Sequence, residues 1–272
     1  MCTQVLKEAW HKLKGMKTVF WSGFLLFALI AIGGFSVLGF VALIGHVISA
    51  PHVLWLLASN PSVLLETSFA LPIGLIVCLT FYYLAQGLFE MFALLPMRMG
   101  LRLIPLRRAV DKSIHPLFVF KFFTWHYIGR FIWLQVLVAL MVGVPGVLGL
   151  ILFCIPSAYH FGTAGLIISY VFGLLFLLIA LYLVVSYLFA NLCVIDRNIT
   201  AWQALELSRK TVSKKWFCIF GYMLWIGFVL VVGAALFLVG LIWAIPYAQN
   251  IIAILYRDLI GVAGQDPVTM RE

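Results

Sequence analysis

The chain has 272 residues, 65% of them hydrophobic and only 10% charged, with a mean hydropathy of +1.14. A soluble domain of that composition could not keep its exterior wetted, so the chain belongs to the membrane class and a pair of soluble domains is excluded. The formal net charge of +9 would point a soluble protein towards an acidic partner, but in a membrane protein the positions of the charges carry the meaning.

Taken in chain order, the first segment is basic and amphipathic. Leu6, Ala9, Trp10 and Leu13 fall on one side of a helix, and Lys7, His11 and Lys14 on the other, the period of a helix lying in a membrane interface. The apolar run from Val19 to Val47 follows. It is too long for the core of a cleavable signal and reads as a first span that stays. Residues His46 to Ser68 include "PHVLWLLASNPSVLLE", apolar but broken by Pro51 and Pro61, and read as a short interfacial helix anchored by Trp55 or as a re-entrant segment. Further apolar stretches predict spans over 70–97, 127–154, 163–194, 216–236 and 238–256, so the expected fold is all-α, a polytopic bundle of about six transmembrane helices. Gly143, Pro145, Gly146 and Gly149 predict a kink or break in the third span. The run from Trp216 to Tyr256 reads as two spans with a tight turn near Gly240, or as one long helix.

The charges collect between the spans. Lys7, Lys12, Lys14 and Lys17 precede the first. Arg98, Arg102, Arg107, Arg108, Lys112 and Lys121 lie between the second and third. Arg197, Arg209, Lys210, Lys214 and Lys215 lie between the fourth and fifth, and Arg257 and Arg271 follow the sixth. The alternate loops carry no Lys or Arg. By the positive-inside rule both termini and the basic loops are expected in the cytoplasm. The segment "AWQALELSRKTVSKKW" repeats the design of the N-terminus: Thr200 and Gln203 give a capping-box start, while Trp202, Leu205 and Val212 are expected against the membrane. One membrane domain, 1–272, is therefore expected, with a possible repeat of units 1–98, 99–195 and 196–262 and a short tail, 263–272.

Two runs, "NLCVIDRNITAWQALELSRKTVSKKW" and "AIPYAQNIIAILYRDL", carry a resemblance. With the middle loop from Gly100 to Phe118, they resemble a group of bacterial inner-membrane proteins that includes YciC-like proteins and the membrane domain joined to some glycerophosphodiester phosphodiesterases. The matching positions are Asp196, Ala204, Leu207, Ser208, Pro246, Tyr256, Arg257 and Asp258. The resemblance covers residues 85–260 and implies a multi-pass location in the bacterial cytoplasmic membrane. The chain has no phosphodiesterase catalytic domain, so that activity is not implied.

Candidate site residues follow from cost. An ionisable group inside a span is expensive and is a functional candidate by default. Glu90 lies about 10 Å from the cytoplasmic end of span two and is expected to face the bundle and pair with Arg130 or Asn250. Gln86 and Asn191 complete a candidate intramembrane polar cluster, and Gln135 and Gln249 lie at a similar depth. Lys12, Lys14, Arg107, Arg108, Arg209, Lys210, Lys214 and Lys215 are candidate contacts for anionic lipid headgroups. Asp196, Arg257 and Asp258 are expected to tie the end of span six to the loop before span five. The glycines of span one (Gly33, Gly34, Gly39, Gly45) and of span five (Gly221, Gly227, Gly233) suit close helix packing.

No chemistry motif is present. There is no GxxxxGK[ST], HExxH or GxSxG, and His46, His52 and His160 match no zinc spacing. The five cysteines include no CxxC pair and read as free thiols. No cofactor, metal or nucleic acid is implied. Membrane lipids are the expected partners, and a protein partner or a second copy is left open. The expected role is a non-enzymatic, accessory or organising protein of the envelope. The alternative is a small transporter or lipid-handling protein with a cytoplasm-facing polar cavity.

Overall fold

The computed structural model describes residues 2–49, 73–158, 163–235 and 239–263. Helix α1 runs Cys2–Ser49 and bends at Lys14 and Gly15. There Gly15 takes φ +82°, a conformation that glycine adopts without strain. α2 (Ile73–Phe89) passes through a π turn, Glu90–Leu94, into α3 (Leu95–Ala109). A 3-10 turn, Pro116–Phe120, leads to α4 (Trp125–Val138), which passes through a second π turn, Ala139–Gly143, into α5 (Val144–Ala158). Then come α6 (Thr163–Ser186), α7 (Ala190–Arg197), α8 (Ala201–Ser213), α9 (Trp216–Ala235) and α10 (Leu241–Leu259).

Each π turn ends two residues before a proline, Pro96 or Pro145. A proline has no N–H to donate and its ring crowds the carbonyl four residues back, and one widened turn relieves both. The break expected around Gly143–Pro145 is therefore a bulge in a continuous rod.

The long helices pair as hairpins: α1 with α2–α3, α4–α5 with α6, and α9 with α10. Residues 216–259 thus form two packed helices. They close tightly because Gly233 faces Gly240; a Cβ on Gly240 would sit 2.7 Å from the Gly233 Cα. Of the span glycines named above, Gly34 packs against the Phe89 ring, whereas Gly33, Gly39, Gly221 and Gly227 have open space beside them.

Among the described residues, four helical stretches are long and apolar enough to cross a membrane: Gln4–Ile44, Trp125–Cys154, Gly165–Arg197 and Trp216–Ala235. In none of them is more than 17% of the most apolar window buried. Leu29, Val37, Phe40, Ile167, Val171, Phe228 and Val231 all stand exposed. So much outward apolar surface needs a non-aqueous surround. Of the remaining expected spans, the described residues of 70–97 fall in α2, the first π turn and the start of α3, and those of 238–256 in α10 and the turn before it; neither is among these four. Residues 50–68, His160 and the tail from 264 onward lie outside the described residues, as does the side chain of His46.

The packed core gathers residues from several helices. Ala9 and Leu13 of α1, Leu103 and Leu106 of α3, Phe131 of α4, Val194 and Ile195 of α7, Ala204 of α8, and Ile254 and Tyr256 of α10 are all buried together. The amphipathic helices supply much of it, which corrects an expectation. Leu205 and Val212 of α8, and Ala9 and Leu13 of α1, lie inside the protein rather than on the bilayer. The reason is that several short apolar faces meet at one level and cover one another. Trp202 and Trp10 remain exposed.

Candidate functional site: the basic layer and its cavity

The core level is also where helices end, and a helix C-terminus presents unsatisfied carbonyls carrying partial negative charge. Basic side chains from neighbouring segments take them. At the end of α3, Lys12 Nζ donates to the Ala109 carbonyl at 2.9 Å and Arg257 Nη1 donates to the same oxygen at 2.8 Å. Arg108 returns the contact, donating to the Lys12 and Lys14 carbonyls where the first segment of α1 stops. Arg130 donates to the Asn198 carbonyl at 2.5 Å and to its Oδ1 at 2.6 Å, and Asn198 closes α7 in the left-handed conformation. Arg197 donates to the Ile260 carbonyl beyond α10 at 2.7 Å.

Acidic groups complete the clamp. Arg257 grips Glu8 with both terminal nitrogens, at 2.6 and 2.9 Å, and also pairs with Asp258. Lys12 reaches Asp111 at 2.8 Å. That hydrogen bond holds the Asp111 carboxyl below its usual range. Asp196 Oδ2 accepts from the Tyr256 hydroxyl and from the Ala263 amide, both at 2.9 Å. Asp196 thus joins the end of α7 to the end of α10 through Tyr256, while Arg257 turns to α1. Ser208, fully buried, spans the break between α6 and α7, receiving the Phe189 N–H and donating to the Ser186 carbonyl.

The intramembrane cluster expected from sequence does not assemble. Glu90 pairs with Arg98 at 2.6 Å across the π turn, with both side chains nearly half exposed, and not with Arg130 or Asn250. The widened turn carries Glu90 round to the face of Arg98, a register that unbroken helical spacing does not give. Arg130 is taken by Asn198, and Asn250 donates to the Ala9 carbonyl at 3.3 Å. Gln86 is half-buried one turn before Glu90.

The expected headgroup contacts divide. Arg209, Lys210, Lys214, Lys215 and Lys14 are exposed, with Lys210 paired to Glu206 at 2.7 Å. Lys12 is buried and Arg108 is partly buried, and both are committed to helix ends. Arg107 lies over the Phe118 ring, 4.7 Å from its centre.

Within the layer, α3, the α6–α7 junction and α10 enclose a cavity of about 210 Å³, whose polar lining comes from Arg102, Tyr187, Asn191 and Gln249. No Asp or Glu lines it. The Tyr187 hydroxyl points to the Met141 sulfur at 3.0 Å. Asn191 was expected in a polar cluster, and its partner here is the cavity. Burial, and then the like charge of Arg98, push the Arg102 guanidinium below its usual range, yet an arginine stays protonated in a protein. Sequence reasoning passed over Arg102 and Tyr187. The legible signal was Arg98 and Arg102 four residues apart on one helix face, with Glu90 the one carboxylate between Glu66 and Asp111.

Fold and layer together define an all-helical membrane-type bundle, packed at a basic end and apolar along its hairpins. No family model, no curated protein and no solved structure matches the chain.

Proposed function

We propose that this chain is a non-enzymatic, six-span protein of the bacterial cytoplasmic membrane, with both termini and the basic layer in the cytoplasm, serving an accessory or organising role in the envelope. One observation carries the reading. Packing and polar contacts concentrate in a single layer at the basic end, while the hairpins extend from it with their apolar sides uncovered. A rigid cytoplasmic-side platform with lipid-facing or partner-facing helices fits recruitment better than passage of a solute. The exposed cations Arg209, Lys214 and Lys215 fit the positive-inside orientation and attraction to anionic headgroups. The YciC-like resemblance of residues 85–260 agrees with that membrane.

The test is extraction in native-lipid nanodiscs followed by mass spectrometry, with reporter fusions after Lys112 and at the C-terminus. The expected result is cytoplasmic reporters and a stoichiometric protein partner or anionic lipid. A reporter exported at either point overturns the orientation. A retained soluble metabolite, with no partner or lipid, overturns the accessory role in favour of a small transporter. The second reading, lipid handling, is favoured by the cavity beside Arg102.

A further inference from the structure

The cavity between α3, the α6–α7 junction and α10 carries an imbalance of charge: a cation lines it and no carboxylate does. Lys12, Arg108, Arg130, Arg197 and Arg257 each have an oxygen partner. Arg102 is a cation set among buried α3 residues, Leu101, Leu103 and Ile104, and has no hydrogen-bond or ion-pair partner among the described residues. Asn191 adds a second unpartnered group, since its buried Oδ1 meets no donor. An amide assigned that way can turn over and offer its NH2 instead. Gln249 adds another amide on the same wall, while the Tyr187 hydroxyl is turned to the Met141 sulfur. A partly buried guanidinium with no counter-charge is costly, and a fixed fork of N–H donors matches the oxygens of an oxyanion. Arg102 stands seven residues from the end of α3, about 10 Å at the helical rise. That depth is within the span of a headgroup region.

We propose that this cavity is a phosphate-binding site in which Arg102 holds the oxyanion and Asn191 and Gln249 orient it. The phosphate comes from an anionic phospholipid headgroup or from a soluble phosphate. The lipid source rests on the membrane orientation proposed above; the soluble source does not.

The test uses the full chain in phosphatidylcholine nanodiscs, with two arms. In the first, the discs are doped with phosphatidylglycerol and retained lipid is counted by native mass spectrometry. In the second, inorganic phosphate is titrated into undoped discs and the melting temperature is followed. Wild type is expected to respond in one arm, and that arm names the source. Arg102→Gln should weaken the response by roughly tenfold or more, the loss of charge-assisted hydrogen bonds. Arg102→Lys keeps the charge and loses the fork. It should also weaken binding, and it serves if the glutamine variant fails to fold. Gln135→Ala, at an exposed position of α4 away from the cavity, should leave the response unchanged. No response in either arm, or a response equal in wild type and both Arg102 variants, overturns the site. Reporter orientation is read independently, so failure of the site leaves the topology standing and the reverse also holds.

Discussion

Replacing Arg257 by Met should unclamp three segments at once. The side chain makes two charge-assisted bonds to Glu8 and one to the Ala109 carbonyl. A hydrogen bond to a charged group is worth about 1.5–3 kcal/mol when well buried. Arg257 and Glu8 are 26% and 33% exposed, so solvent screening brings the pair to about 1–2 kcal/mol. The Ala109 carbonyl keeps Lys12 as a donor, so losing Arg257 there adds only about 0.5 kcal/mol. Met preserves most of the stem packing. The expected cost is therefore about 2 kcal/mol, and Glu8→Gln should cost about 1 kcal/mol by the same reasoning. Equilibrium unfolding in mixed micelles, run as a double-mutant cycle, should return a coupling of about 1–2 kcal/mol between the two positions. Arg257→Lys should recover only part of it, because a point charge cannot fork. Single costs below about 0.5 kcal/mol with no coupling would refute the clamp, since the pair would then behave as an ordinary surface ion pair.

Three further outcomes follow from the same contacts. Arg130→Ala should cost about 1.5–3 kcal/mol by uncapping α7, against under about 1 kcal/mol for Glu90→Gln; Glu90→Arg should be rescued by Arg98→Glu and not by Arg130→Glu, read as folded yield. Gly100→Ala should destabilise by about 1–3 kcal/mol, because its Cβ would lie 2.6 Å from the Val119 Cα, whereas Gly221→Ala meets open space and should leave the melting temperature unchanged or raised. Lys12 depresses the Asp111 carboxyl from an ordinary value of 3.8, so its stabilisation is present above that value and lost as pH falls through the lower folded one; Asp111→Asn should flatten the acid limb of a stability profile below about pH 4, and an unchanged limb would count against the Lys12 contact.

How far the sequence reached depends on the range of the forces involved. The Thr200–Gln203 box is local and is present as expected, with reciprocal bonds of 3.2 and 3.5 Å. The turn near Gly240 was legible from length, since the run from Trp216 to Tyr256 fits two spans, while the close approach of Gly233 to Gly240 came from the packing. The Glu90 pairing was not, because a π turn shifts the register and no periodicity rule anticipates an inserted residue. Lys12 looked like a lipid contact beside Lys14. The helix bends at Lys14 and Gly15, so Lys12, still on the helix, turns into the core while Lys14, at the bend itself, is exposed. Arg102 was hidden for the opposite reason: it stood among many basic residues, and its half-buried place on the wall of a cavity without a carboxylate arises only when the helices pack.

Composition by itself determined that the chain is helical and apolar enough to need a membrane, since hydrophobic excess and backbone hydrogen bonding are properties of each segment alone. Charge spacing determined which segment ends are basic. What those cations do was decided by tertiary structure. Carbonyls at helix ends attract whichever donors the fold brings within about 3 Å, and that proximity links Lys12 to Ala109, Arg130 to Asn198 and Arg257 to Glu8 across distances along the chain that no local pattern encodes.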